Sequence, residues 1–343
     1  MHIKFKDLKQ TIKNIKKTIQ EEYWFVFTFK LASSKILKYI YDVRDFWPKI
    51  ALYEFLQIFD CVLPRDIWNR INTTKLEYCM GFLEKKYSNF IDDYRTKGIS
   101  LWRNDKKIRI LWRQWINSAP ELVKRCVKSI KKYNCDYEVI LLDKDNYKKY
   151  IELPDFIIKK VYKRKITLTH LSDIIRMGLL KEYWGIWVDA TVFVNSDVFK
   201  SFNDINLNSA FCTMKWVMPR WWNTKRDVWL IWWKTNRLFN FCYDFFIQYW
   251  KDYNHLIDYF LIDYTILIAY RHFKDCKEDI DNIGNENPQA FSLPASFNER
   301  YDEKKYNELM KIPFSKLSLK CNNKEIDSQW NRTIYWKFMQ DTK

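Results

Sequence analysis

The chain has 343 residues, 48% of them hydrophobic and 18% aromatic, which is enough core-forming material for one large or two ordinary folded domains. Its formal net charge of +17 favours an anionic partner, and nucleic acid, an acidic membrane surface and phosphorylated small molecules all fit that charge. No uncharged apolar run reaches the ~18 residues that cross a bilayer, and no secretory signal is visible, so we expect a cytoplasmic protein.

The first segment, "MHIKFKDLKQTIKNIKKTIQ" over residues 1–20, is basic and amphipathic. Its lysines alternate with isoleucine, leucine and phenylalanine at helical spacing, and Asp7 is its single acid. Such a helix is suited to lie on anionic lipid, which predicts a protein peripheral to the inner face of the cell membrane. An ordinary solvated helix face packed on the domain explains the same pattern, and both interpretations stay open.

Residues 1–100 are predicted to be helical throughout, as a region that docks on a membrane or on a partner. In "KLEYCMGFLEKKYSNFIDD", apolar side chains recur at spacings of three and four, for example at Leu76, Met80 and Leu83. Strand-like segments begin only later in the chain. We therefore place a second domain over residues 101–343.

Strands and helices alternate after this region. "KIRILW" and "YEVILLD" are predicted strands, and the helix in "NSAPELVKRCVKSIKKYN" lies between them, with Ser118 as its N-cap and Pro120 in its first turn. The order strand, helix, strand predicts a parallel sheet covered by helices. The fold class is therefore α/β.

The next helix and strand contain an acid in an apolar run. "THLSDIIRMGLLKEYW" is a predicted helix that ends at Gly185, and "IWVDATVFV", with Asp189 inside it, is the predicted strand that follows. Cores rarely accept an unpaired carboxylate, because its ionised oxygens lose water when they are buried. We therefore expect Asp189 at a strand end, in the crevice where open parallel sheets bind ligands.

Asp173, Arg176 and Asp189 form the candidate site. Asp173 and Arg176 are three residues apart and share a helix face, and an intrahelical salt bridge alone would explain that pair. Together with Asp189, the set supplies carboxylates for sugar or ribose hydroxyls, a guanidinium for charge, and an acid to hold a metal on a diphosphate. These are the groups that a nucleotide diphosphate sugar needs.

The segment "HLSDIIRMGLLKEYWGIWVDATVFV" resembles the signature of bacterial capsular polysaccharide synthesis glycosyltransferases. These are related to glycosyltransferase family 32 and, more distantly, to the large clostridial glucosylating toxins. The shared pattern is a Ser-Asp pair, an Arg three residues after that Asp, a Tyr-Gly-Gly turn, and a D-x-D motif at a strand end. Upstream, "ILWRQWINSAPELVKRCVKSIKKYNCDYEVILLDKDNYKKYI" resembles the family's opening strand and first helix, so the likeness covers roughly residues 105–200.

The resemblance implies a GT-A type Rossmann-like nucleotide-sugar domain. It implies transfer of a sugar from a nucleotide-sugar donor, a UDP-sugar, to a lipid-linked or oligosaccharide precursor of a capsular or surface polysaccharide, with retention of the anomeric configuration. By position, it places Gln114 and Trp115 at the nucleotide, Asp173 and Arg176 on the donor sugar, and Asp189 as the first acid of D-x-D. The remaining donor-site candidates are Ser172, Trp187, Ser315 and Lys316. The segment "PFSKLSLK" is expected to return the last two to the diphosphate as a closing loop, as similar C-terminal segments do in relatives.

Two positions depart from the family pattern. The expected Gly-Gly is Trp184-Gly185, which puts a bulky ring where backbone freedom is usual. The second acid of D-x-D is Thr191, and a neutral hydroxyl is a poorer ligand for a hard cation than a carboxylate. Asp189 and Thr191 are therefore the candidate ligands of Mn²⁺ or Mg²⁺, and basic side chains are the alternative source of positive charge for the diphosphate.

Acceptor contacts are predicted further along the chain. "KWVMPRWWNTKRDVWLIWWK" offers flat apolar faces for sugar rings or a lipid-linked acceptor, although core packing with a solvated loop explains it equally. Its candidate acceptor-binding residues are Arg220, Trp221 and Trp222. "HLIDYFLIDY" supplies Asp258 and Asp263 as candidate catalytic carboxylates beside Asp189, and a helix surface also explains both acids.

Two other functions stay open. A non-catalytic scaffold of a capsule-assembly complex would explain the altered D-x-D motif. A basic nucleic-acid-binding protein would explain the charge and the aromatic content. However, no nucleic-acid-reading motif is visible and Asp173, Arg176 and Asp189 would go unexplained, so we expect no nucleic-acid partner.

Overall fold

A computed structural model describes residues 40–56, 63–98, 100, 106–134, 136–200, 211–215, 226–232, 235–282 and 289–341. The chain divides into two compact units. One, the helical unit, is Met1–Thr96 with Asp252–Tyr264, and the other, the sheet unit, is Lys97–Lys251 with Thr265–Lys343. The helical unit thus combines the N-terminal part of the chain with the later segment Asp252–Tyr264.

Among the described residues up to Thr96, residues 40–45 are helical and three further helices follow. They are α1 (Pro48–Leu56), α2 (Arg65–Lys86) and α3 (Ser88–Thr96). The predicted apolar stripe of α2 is confirmed, because Leu76, Met80 and Leu83 are all buried. The predicted amphipathic segment over residues 1–20 lies outside the described residues.

A buried lysine joins two parts of the helical unit. Lys75 of α2 is 3% exposed, and its ammonium lies 2.5 Å from the carboxylate of Asp258 and also contacts Glu54. Burial, together with the Asp258 carboxylate, raises the pKa of the nearby Tyr264 well above its ordinary value. Since Asp258 belongs to the segment 252–264, this ion pair connects that segment to α2.

The sheet unit contains a five-stranded mixed sheet and a two-stranded sheet. The strands are β1 (Lys107–Leu111), β2 (Glu138–Leu142), β3 (Ile186–Val188), β4 (Val192–Val194), β5 (Phe211–Lys215), β6 (Arg226–Trp232) and β7 (Phe314–Lys316). The larger sheet has the order β2-β1-β3-β6-β5, and β4 pairs with β7. β1 is parallel to β2 and to β3, whereas β6 is antiparallel to its neighbours. The α/β class and the parallel pairing of the first strands are confirmed.

Helices cover and extend this sheet unit. They are α4 (Glu121–Lys132), α5 (Asp155–Tyr162), α6 (Leu168–Tyr183), α7 (Arg237–Asp252), α8 (Leu261–His272), α9 (Lys274–Asn282), α10 (Ser292–Ala295), α11 (Glu303–Leu309) and α12 (Ile334–Gln340). The first turn of α8, up to Tyr264, belongs to the helical unit. None of the described helices is long and apolar enough to cross a membrane. The predicted N-cap of α4 was wrong, because Pro120 holds that position and the Ser118 hydroxyl donates to the carbonyl of Trp115 instead.

The strand order places a topological switch between β1 and β3. From β1 the chain moves to β2 on one side, and it then returns to β3 on the other side of β1. Such a reversal in parallel strands opens a crevice at the carboxyl ends of the two strands that flank it. The residues that follow those ends are Trp112–Trp115 after β1 and Asp189 after β3.

The predicted strand "IWVDATVFV" is two strands in the structure. β3 ends at Val188, and the Val192 N–H donates to the Asp189 carbonyl at 3.0 Å, which closes a turn between the strands. β4 then leaves the main sheet and pairs with β7, with Val192 opposite Lys316. The predicted continuity was therefore wrong, and the break explains why an acid interrupts an apolar run.

Candidate functional site

Asp189 is the centre of a cluster of charged and polar side chains. Its Oδ1 accepts hydrogen bonds from Arg176 Nη2 and Trp187 Nε1, both at 2.9 Å. Its Oδ2 accepts one from Lys316 Nζ at 2.8 Å. The Asp189 side chain is 26% exposed, so a ligand can reach it although Arg176 and Trp187 are buried.

Secondary structure fixes each of these donors. Arg176 projects from α6 with 6% of its side chain exposed, and its guanidinium lies 5.1 Å from the centre of the Trp187 ring. Trp187 is a buried residue of β3. Lys316 ends β7, where its backbone N–H donates to the carbonyl of Ala290. The cluster is therefore held by a helix and by strands of both sheets, and such elements position a site more accurately than loops do.

The Asp173–Arg176 salt bridge, which was the alternative explanation of that pair, is present and extends into the same cluster. Arg176 Nη1 lies 3.2 Å from Asp173 Oδ1, while its Nη2 binds Asp189. His170 Nδ1 is 3.5 Å from the other oxygen of Asp173, and its ring packs edge-on against Phe246. Arg176 thus joins the two acids that the sequence singled out.

Opposing effects set the charge of Asp189. Burial raises the pKa of its carboxyl, but the positive charges of Lys316 and Arg176, with hydrogen bonds from Lys316 and Trp187, outweigh that effect. The pKa of Asp189 therefore lies below its ordinary value. At neutral pH this side chain is an ionised carboxylate that accepts hydrogen bonds and has no proton to give.

Thr191 and Lys316 determine whether residues 189–191, which resemble a D-x-D motif, can hold a metal ion. Lys316 Nζ donates to Thr191 Oγ1 at 2.8 Å as well as to Asp189, so an ammonium bridges the first and third positions of the motif. Among the described residues, no group of three His, Cys, Asp or Glu side chains is placed to hold a metal ion. One carboxylate, one hydroxyl and a fixed positive charge fit a divalent cation poorly.

The Trp184-Gly185 turn has a positive φ at both residues. Trp184 has φ 59° and ψ −149°, and Gly185 has φ 80°, so both residues lie in the region that favours glycine. A Cβ on Gly185 would lie 2.6 Å from the carbonyl oxygen of Lys107. The buried Arg109 donates to the carbonyl of Trp184 and holds this turn beneath the start of β3.

The residues predicted to meet the nucleotide follow β1. Gln114 is exposed, and Trp115 is 54% exposed. Lys144, just beyond β2, places its ammonium 4.5 Å from the centre of the Trp115 ring. Two other donor-site candidates are less accessible, since Ser172 is half-buried on α6 and Ser315 is buried within β7.

The other predicted site residues belong to the helical unit or lie outside the described residues. Asp258 belongs to the helical unit, where it is paired with Lys75, and Asp263 lies in the first turn of α8 in the same unit. The acceptor-binding candidates Arg220, Trp221 and Trp222 lie outside the described residues.

Three features of the site were not predicted. Lys316 was expected to contact the diphosphate, and its bridge between Asp189 and Thr191 was not predicted. That bridge depends on the pairing of β4 with β7, and no local sequence pattern indicates this pairing. The contact of Lys144 with Trp115 likewise depends on strand pairing. Arg109 did have a signal, because a single arginine inside the apolar strand "KIRIL" indicates a buried charge that needs a specific acceptor.

The fold and the site together define an α/β protein with a balanced charge cluster at the switch point of its parallel strands. Residues 61–338 match the family model described as capsular polysaccharide synthesis protein, and the chain belongs to this family. No curated protein and no solved structure matches the chain.

Proposed function

We propose that the chain is a GT-A type glycosyltransferase. It moves a sugar from a UDP-sugar to a lipid-linked or oligosaccharide precursor of a capsular or surface polysaccharide, with retention of the anomeric configuration. The family is one of capsular polysaccharide synthesis. The observation that carries the proposal is the Asp173, Arg176, Asp189 and Lys316 cluster, located where open α/β sheets bind nucleotides.

The cluster has the chemistry to hold the donor's sugar and diphosphate. The carboxyl oxygens of Asp189 and Asp173 can accept hydrogen bonds from sugar hydroxyls, and Arg176 and Lys316 can donate to phosphate oxygens. Because each cation is already paired with a carboxylate, it is held in place before the donor arrives. Such preorganised donors stabilise the charge that develops on a leaving diphosphate.

Trp115 and Lys144 form a surface that suits the base of the nucleotide. Trp115 is 54% exposed and lies four residues after the end of β1, and the Lys144 ammonium lies against its ring. An aromatic face beside a cation suits a flat base and the phosphates that follow it. Since β1 and β3 are parallel, Trp115 and Asp189 follow strand ends at the same edge of the sheet.

Release of nucleoside diphosphate from a panel of nucleotide sugars, with and without acceptor oligosaccharides, tests this function. We expect turnover by the wild-type protein and a loss of about 100-fold or more in Asp189→Asn, since removing one preorganised electrostatic group commonly costs that much. Asp197→Asn is the matched control, because Asp197 is exposed nearby on the same chain segment. Full turnover in Asp189→Asn would contradict the site, and no turnover of any donor would favour the scaffold function.

We also propose that the basic segment 1–20 holds the enzyme at the inner face of the cell membrane. The support is its alternation of lysines with apolar residues. Deleting residues 1–20 should release the protein from liposomes that contain anionic lipid and leave donor binding unchanged. Unchanged liposome binding by the truncated chain would contradict this role.

A further inference from the structure

The position of Lys316 raises the question of what supplies positive charge to the diphosphate. In a D-x-D site, two carboxylates hold a divalent cation that faces the phosphates. Here the third position is Thr191, and the group that bridges it to Asp189 is the Lys316 ammonium, 2.8 Å from each. An ammonium and a metal ion cannot both occupy that position.

The backbone holds Lys316 there. β7 pairs antiparallel with β4, which sets Lys316 opposite Val192 at the end of the Asp189–Thr191 turn. The N–H of Leu317 also donates to the carbonyl of Thr191 at 2.9 Å. Lys316 is therefore not a mobile surface lysine, and only 20% of its side chain is exposed.

The charges of this arrangement match those of a metal site. Two carboxylates balance a divalent cation in a D-x-D motif, and one carboxylate, Asp189, balances one ammonium here. An ammonium has three N–H donors, and Asp189 and Thr191 accept two of them. The third is left for a ligand at the part of the side chain that is exposed.

We propose that the Lys316 ammonium replaces the divalent cation of a D-x-D site, so that this chain binds a nucleoside diphosphate without a metal ion. The proposal rests on the proposed glycosyl transfer. In that reaction the bond between the sugar C1 and a diphosphate oxygen breaks, and its electron pair stays on the nucleoside diphosphate. The acceptor oxygen bonds to C1, and its proton passes to a base or to water. Lys316 stabilises the departing oxygens by hydrogen bonding.

Calorimetric titration with UDP and GDP tests the binding part of this proposal. We expect the wild-type protein to bind one of them with the same affinity in EDTA and in Mn²⁺. Lys316→Met, which keeps the length of the side chain, should weaken that binding about 10- to 100-fold, as expected for a lost charge-assisted hydrogen bond. Lys316→Arg should bind more tightly than Lys316→Met. Lys320→Met, which removes an exposed lysine from the same segment, should bind as the wild type does.

A designed exchange of the two cations separates this role from a structural one. The double variant Thr191→Asp with Lys316→Ala recreates the second acid and removes the ammonium, so its UDP or GDP binding should require Mn²⁺ and be lost in EDTA. A purely structural lysine predicts no such exchange, and an unchanged response to Mn²⁺ in the double variant would overturn the proposal.

The outcomes also distinguish this proposal from the function on which it rests. A wild-type protein that releases nucleoside diphosphate from a nucleotide sugar only with Mn²⁺ is a glycosyltransferase in which Lys316 does not replace the metal. A wild-type protein that binds no nucleoside diphosphate and turns over no nucleotide sugar, with or without Mn²⁺, contradicts both.

Discussion

Arg176→Met is the substitution whose effect on stability follows most directly from the geometry of the site. It keeps the unbranched stem of the side chain and removes the guanidinium that joins Asp173 to Asp189. Asp189 retains hydrogen bonds from Lys316 and Trp187, but Asp173 retains only His170 in this cluster. The main cost is therefore a nearly buried carboxylate that has lost its cation.

The magnitude can be bounded from burial. Breaking a buried ion pair costs about 3–5 kcal/mol, and the partial exposure of Asp189 places this case near the lower end. We expect the free energy of unfolding to fall by about 3 kcal/mol in urea titrations followed by circular dichroism. A double-mutant cycle with Asp189→Asn should give a coupling energy of about 1–3 kcal/mol.

The chain contains a matched control for this measurement. Asp92 and Arg95 have the same spacing on α3 as Asp173 and Arg176 on α6, but their side chains are 58% and 50% exposed. Arg95→Met should therefore cost less than about 0.5 kcal/mol. A cost of Arg176→Met no larger than that of Arg95→Met would refute the buried cluster.

Three further predictions concern the turn, the helical unit and pH. Trp184→Gly should be more stable than Trp184→Ala by about 1 kcal/mol in urea titrations, because both lack the ring and only glycine adopts this positive φ without strain; equal stabilities would contradict it. Lys75→Met should lower the free energy of unfolding by about 3–5 kcal/mol, whereas Lys86→Met, which changes an exposed lysine, should change it little. A structural role of the Lys75–Asp258 ion pair predicts that Asp258→Asn keeps its turnover below its melting temperature. Loss of turnover by folded Asp258→Asn would make that carboxylate catalytic. The pKa of Asp189 is lower in the folded chain than in the unfolded chain, where it is about 4, so its ionised carboxylate stabilises the fold above that pH. This stabilisation is lost as the pH falls through the folded pKa. The urea midpoint of Asp189→Asn should therefore fall less than that of the wild type between about pH 5 and about pH 3, and equal falls would contradict the assigned contacts.

Local pattern was sufficient to predict the elements on either side of the site. Apolar runs with strand-forming residues gave β1 and β2, and the buried stripe of α6 follows from its helical spacing. The break between β3 and β4 could not be predicted, because Val188 and Val192 continue the same apolar texture on both sides of it. Only the pairing of β4 with β7 makes the turn at Asp189 necessary.

Some ion-pair partners of the acids could be predicted from the sequence and others could not. Asp173 and Arg176 lie one turn apart on a helix, so their contact could be predicted from spacing alone. The contacts of Lys316 with Asp189 and of Lys75 with Asp258 join residues that are distant in sequence. Such contacts depend on tertiary packing, and a single sequence without its fold does not indicate them.

The most direct test of the central claim is a thermal-shift panel of nucleotide sugars, with and without Mn²⁺, on the wild type, Asp189→Asn and Asp197→Asn. A ligand that binds only the folded chain stabilises it by about 2.7 kcal/mol at a concentration 100 times its dissociation constant. We predict that at least one nucleotide sugar raises the melting temperature of the wild type and of Asp197→Asn, but not that of Asp189→Asn. An equal shift in all three proteins, or no shift with any nucleotide sugar, would contradict a donor site at Asp189.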